Sequence, residues 1–144
     1  MKRLFRKIFS SKEMRAYRKM HRKHRKELID HAKKTCERDY GWLHTSVIMQ
    51  IRHMYEYYSA GNNVYQCEES KNEVIKQLKH VLDLVDELDN LWDTWEYDPI
   101  KNDDGSITVT EESRNNYRKI NDREEELYEE IYSYIGKNIQ WWWD

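Results

Sequence analysis

The chain has 144 residues, enough for one packed core that buries roughly two thirds of the surface its unfolded form would expose. One Pro, four Gly and a 36% share of charged residues favour long helices over turn-rich sheet folds, and a 13% aromatic share excludes a disordered composition. The net charge of −2 conceals a strong asymmetry: residues 1 to 27 hold 12 Lys and Arg against Glu13 and Glu27, whereas the other 117 residues hold 13 bases against 25 acids. A leading segment of +10 on a body of −12 implies partners of opposite sign. The division expected from this layout is an arm and basic helix over residues 1–34 and a helical bundle over 35–144.

Two cysteines, Cys36 and Cys67, are too few for a disulfide scaffold and have no companions for a metal cluster, which points to reduced thiols in a cytosolic setting. The first nine residues are positive but lack the apolar run of a signal peptide. No stretch approaches the roughly 20 apolar residues of a transmembrane segment.

In chain order, Leu4, Phe5, Ile8 and Phe9 recur at helical spacing against Lys2, Arg3, Arg6 and Lys7, a short basic amphipathic arm. Ser10 and Glu13 form a capping box for a helix reaching about Ala32. Its bases surround a thin apolar side of Met14, Tyr17, Leu28 and Ile29. So little apolar surface cannot stabilise a helix by burial alone, so something acidic is expected against it.

A bend is expected within residues 35–41, with Asp39 as the following cap. The next helix shows Leu43, Val47, Ile48, Ile51, Met54, Tyr55 and Tyr58 on one face and closes at Gly61. The central helix is expected over 70–96, opened by the pair Ser70 and Glu73. Val74, Leu78, Val81, Val85, Leu88, Trp92 and Trp95 step by four and three, the seam of a helix packed lengthwise on others. Beyond it, Asp104-Gly105 between Ile100 and Ile107-Thr108-Val109 signals a short hairpin. Thr110 caps the last helix, with Glu111 and Glu112 in its positive first turn. That helix carries Tyr117, Ile120, Leu127, Tyr128, Ile131, Tyr134, Ile135 and Ile139. Three adjacent Trp at 141–143 cannot share one helix face, so at least one is exposed unless another chain covers it.

Glu125-Glu126-x-x-Glu129 has the spacing with which helical nucleotide pyrophosphatases hold magnesium, but no second acidic pair follows, and a solvated helix face accounts for it. Asn102, Asp104, Gly105, Ile107 and Glu111 match the offsets of a calcium loop, whose first ligand position falls on Ile100, a residue without a side-chain oxygen. His21, His24 and His31 sit among bases that repel divalent cations, and His44, His53 and His80 are isolated in sequence. Neither a metal site nor a cofactor is expected. The candidate contacts for an anionic partner are Arg15, Arg18, Lys19, Arg22, Arg25 and Lys26, with Tyr17, Trp141, Trp142 and Trp143 as an aromatic wall.

The run Asp39-Tyr40-Gly41-Trp42-Leu43, the stretch Tyr57-Tyr58-Ser59-Ala60-Gly61-Asn62-Asn63-Val64-Tyr65-Gln66 and Gln77-Leu78-Lys79-His80 resemble small helical proteins of tailed bacteriophages. The end, from Tyr134 to Trp141-Trp142-Trp143-Asp144, is similar to the Trp-Trp-Asp tails of the same proteins. The resemblance spans about two thirds of the chain, leaves out the basic arm, and brings no catalytic residues. It implies work in the cytoplasm of an infected bacterial host.

The expected architecture is mostly α, an antiparallel helical bundle with a basic N-terminal helix and a short β-hairpin insertion. The expected function is that of a non-enzymatic, homo-oligomeric interaction protein. It would bind or sequester a host component, for example a defence protein or its nucleotide messenger. The alternatives are a nucleic-acid-binding or virion-associated protein using the basic arm, and a divalent-metal nucleotide pyrophosphatase.

Overall fold

The computed structural model describes residues 12–34, 40–60 and 68–142. Among these, four α-helices follow one another: α1 (Lys12–Lys34), α2 (Tyr40–Ser59), α3 (Glu68–Leu91) and α4 (Glu111–Asn138). A hairpin of β1 (Pro99–Lys101) and β2 (Ile107–Val109) lies between the last two, and short 3-10 turns follow α3 at Trp92–Thr94 and α4 at Ile139–Trp142. The fold is a helical bundle with a small two-stranded antiparallel sheet. The amphipathic arm, the Ser10 cap, the bend before Tyr40, the Asp39 cap and the Gly61 terminus lie outside the described residues.

The chain divides into two compact units, Met1–Lys79 and His80–Asp144, and the boundary falls inside α3. Charge follows this division. The first unit holds 19 Lys and Arg against 9 Asp and Glu, and the second 6 against 18. Residues 28–79 are balanced, so +10 belongs to the first unit and −12 to the second.

In the first unit, α1 and α2 run antiparallel, since Tyr17 meets Tyr57 near one end and His31 meets Ser46 near the other. Ile48, Ile51, Tyr58, Val74 and Leu78 are its buried apolar residues. Leu43, expected on the buried face of α2, is exposed. Ser70 is not a cap, because Glu68 and Glu69 are already helical and occupy the positive first turn.

The second unit pairs the C-terminal half of α3 with α4, again antiparallel: His80 meets Tyr134 and Trp92 meets Tyr117. Val81, Val85 and Leu88 are buried with Ile120, Leu127, Ile131 and Ile135, as the four-and-three spacing predicts. The seam stops at Leu88. Beyond it Trp92 enters a tightened 3-10 turn, where the Thr94 hydroxyl donates to the Leu91 carbonyl and the Trp95 amide to that of Trp92. Trp95 thus leaves the helix in extended backbone and does not continue the buried stripe.

The hairpin pairs Lys101 with Ile107 and Pro99 with Val109. Gly105 takes the left-handed φ of 82°, and its amide donates to the Asn102 carbonyl at 3.0 Å, closing a three-residue loop that only a residue without Cβ adopts freely. Ile100 lies in β1, so the stretch folds as a hairpin turn. Thr110 caps α4 as expected, its hydroxyl accepting from the Ser113 amide at 3.1 Å.

Candidate functional site

α1 has two opposite faces. Tyr17, Met20, His24, Glu27, Leu28 and His31 are half-buried, at steps of three and four. Arg15, Arg18, Lys19, Arg22, Arg25 and Lys26 are exposed and obey the same steps two residues out of phase. At about 100° per residue that offset places the two sets on opposite sides of the cylinder. The six bases therefore form one stripe, roughly 16 Å long at 1.5 Å per residue.

What holds the inner face is a polar and aromatic seam with α2. His24 lies flat on His53, ring centroids 3.7 Å apart and planes within 5°. Each ring also reaches a carboxylate on the opposite helix: His53 Nε2 is 2.8 Å from Glu27 Oε2, and His24 Nε2 is 3.1 Å from Glu56 Oε2. An ionised carboxylate only accepts, so each Nε2 carries the proton. Lys23 Nζ joins Glu56 at 3.0 Å. Farther along, Tyr17 packs edge-on to Tyr57. Ser46 Oγ donates to the Trp42 carbonyl and accepts from His31 Nε2, while the His31 ring stacks on Trp42.

Burial pushes the His53 imidazole below its ordinary value of 6.5, with Glu27 opposing and His24 assisting. Hydrogen bonds from His24 and Lys23 hold the Glu56 carboxyl below 4.5. The Glu56 carboxylate in turn raises the Lys23 ammonium. Burial, with Tyr17 and Tyr58 nearby, raises the Tyr57 phenol.

The sequence carries a signal for this seam that is neither a metal-ligand nor a nucleophile spacing. His24-x-x-Glu27 and His53-x-x-Glu56 are the same motif on two helices, and antiparallel packing crosses them. Both carboxylates are committed across the helix pair, and the Lys23 ammonium stands 3.0 Å from Glu56 and 3.9 Å from Glu27. Among the described residues no group of three or more His, Cys, Asp or Glu is placed to hold a metal ion.

The aromatic residues expected to form a wall behave differently. Tyr17 belongs to the seam. Trp141 is 68% exposed and Trp142 only 1%, so neighbours in sequence face opposite surroundings, and Trp143 lies outside the described residues. An exposed aromatic cluster instead occupies the second unit, where Trp92, Trp95 and Tyr117 are mutual neighbours with centroids 5.4 to 6.2 Å apart. Tyr97 packs on Trp95 at 5.4 Å. Trp95, Tyr97 and Tyr117 are 37%, 55% and 45% exposed. Nearby, the extended segment after α3 and the start of α4 enclose a recess of about 700 Å³ lined by Glu96, Asp98, Glu112, Asn115, Asn116 and Lys119. The Ser113 hydroxyl donates to the Glu96 carbonyl at 2.9 Å, pinning that segment to α4.

Of the magnesium-like carboxylates, Glu126 is paired with Arg123 at 3.1 Å and Glu125 accepts from the Asn121 amide at 3.3 Å. Arg123 also holds Glu87 at 2.8 Å and Glu130 at 3.6 Å. The positive charge among these acids is a side chain of the protein itself.

Comparison with family models, curated proteins and solved structures gives no match to this chain. No helix among the described residues is long and apolar enough to cross a membrane.

Proposed function

We propose that this chain is a non-catalytic interaction protein that captures an anionic partner on the stripe Arg15, Arg18, Lys19, Arg22, Arg25 and Lys26. The observation that carries the reading is the phase of α1. Tyr17, His24, Glu27 and His31 on its inner face engage α2, and Lys23 reaches Glu56. The six named bases stand in line on the solvent side. An exposed row of guanidinium and ammonium groups recognises extended anionic surfaces through bidentate and point-charge contacts. A convex stripe fits the acidic face of a host macromolecule better than a single nucleotide, which needs a concave site. The sequence resemblance to phage proteins supports placing this work, as part of the proposal, in the cytoplasm of an infected bacterium.

A second reading is nucleic acid, favoured by the linear spacing of the cations. The two separate by salt and by composition. Neutralising six phosphates gives a log–log salt slope of roughly −5 on duplex DNA. The test is native mass measurement of the protein purified from infected cells, with and without Arg22→Glu and Arg25→Glu. A retained partner lost from the double variant supports the reading, and nuclease sensitivity of that partner selects nucleic acid. Equal retention by both forms, or no retained mass with either, removes it.

A further inference from the structure

We infer that the exposed aromatic and carboxylate surface of the second unit receives the arginine stripe of α1 from a second copy of the chain. Exposed Trp95, Tyr97 and Tyr117 rings form an apolar patch of the kind that marks contact sites. Its border selects the occupant. In the extended segment 95–98, alternate residues serve two purposes: Trp95 and Tyr97 join the ring cluster, while Glu96 and Asp98 line the recess with Glu112. Lys119 is the one base among those lining residues. An apolar partner would strip water from these carboxylates without replacing it, and an acidic one would be repelled by a unit carrying −12. A guanidinium satisfies both features together, stacking its plane on an indole or phenol face while its N–H groups reach a carboxylate.

Such a partner exists within this sequence. The first unit carries +10 against the −12 of the second, and its stripe is exposed along three turns of α1. Joining unlike patches of two copies is a head-to-tail contact, which propagates into a ring or an open chain. The inference rests on the anion-binding reading of α1, because the bases that capture the outside partner are those that engage the second copy. Partner and copy therefore compete, and the acidic unit acts as a stand-in for the partner until it arrives.

The test is sedimentation of the full chain at low and high salt. The expected result is assemblies that grow with concentration and dissociate in high salt. Replacing the exposed rings, Trp95→Ala with Tyr97→Ala, weakens association by about tenfold or more, as loss of aromatic anchors does, with helix content unchanged. Charge reversal supplies a second arm. Glu96→Lys with Asp98→Lys in one protein, and Arg22→Glu with Arg25→Glu in another, each give monomers. Mixed, they associate, because each protein then meets a complementary patch on the other. A wild-type monomer at high concentration and low salt overturns the inference. So do ring variants that assemble like wild type, or a mixture that stays monomeric. Binding of a single-stranded oligonucleotide keeps the two readings apart: the Glu96/Asp98 variant retains it and the Arg22/Arg25 variant loses it if α1 binds anions, whatever the sedimentation shows.

Discussion

His24 and His53 face each other as parallel rings 3.7 Å apart, one from α1 and one from α2, and each is tied to a glutamate on the other's helix. Two neutral imidazoles stack without penalty, whereas two imidazolium ions at that distance repel. The packing of α1 on α2 is therefore built around two stacked imidazoles, of which burial pushes that of His53 below its ordinary value.

Stability should fall on mild acidification, and the sign follows from linkage. His53 in the folded chain binds its proton below 6.5, so as pH drops through that value the unfolded chain takes up the proton first. The contribution is complete above 6.5 and is lost progressively from there down to the folded value. Glu56, held below 4.5, adds a separate loss only as pH falls through its own folded value. Melting temperatures from pH 8 to pH 5 should decline in wild type and flatten in His53→Gln, whose amide still donates to Glu27. Superimposable profiles would show that the stacked pair is not responsible.

Leu127 and Ile131 are completely buried in the second unit. Leu127→Ala should cost about 2–5 kcal/mol in urea unfolding, from lost transfer energy and the cavity left behind. Trp141→Ala, at an exposed position beside the buried Trp142, should remain within about 0.5 kcal/mol of wild type. Equal costs at the two positions would contradict the burial of Leu127 and the exposure of Trp141.

Thr110→Ala should lose about 1 kcal/mol by leaving an amide of the first turn of α4 uncapped. Gly105→Ala places a Cβ at a φ of 82° and should cost a similar amount, about 1 kcal/mol. Because nothing crowds that position, the penalty comes from the backbone alone. Gly105→Asn should therefore recover part of it, measured by the same unfolding curves.

Charge reversal within α1 should separate binding from folding. Arg22→Glu and Arg25→Glu lie on the exposed stripe and should each shift stability by less than about 0.5 kcal/mol while abolishing salt-sensitive anion binding. Lys23→Glu, one position away from Arg22, places a third carboxylate beside Glu27 and Glu56 and should lower the melting temperature. Identical thermal behaviour of the two kinds of variant would refute the division of α1 into a face packed on α2 and a solvent-exposed face.

Regular periodicity explains what could be read in advance. Val74 to Leu88, Ile120 to Ile135 and the Thr110 cap depend on residues within a few turns of each other, and the structure places them as spacing predicts. The Asp104-Gly105 hairpin was legible for the same reason, since a left-handed residue is a local requirement. Trp95 was not, because the heptad steps run straight through a helix end whose 3-10 turn is set by the Thr94 hydroxyl. The seam of α1 was missed differently: a stripe of Tyr, His and Glu has no apolar signature, and it becomes a packing face only when a second helix supplies His53, Glu56 and Tyr57.

The sequence by itself determined the helical class, the hairpin, the buried stripes of α3 and α4, and a strong separation of charge. These follow from composition and from contacts between near neighbours along the chain. Tertiary structure alone decided which bases of α1 turn to solvent and that Lys23 reaches Glu56, that two distant His-x-x-Glu motifs cross, and that Trp92, Trp95, Tyr97 and Tyr117 gather beside a carboxylate recess. Those outcomes turn on the rotation of one helix against another and on where a helix stops, quantities that no single segment encodes because both partners set them together.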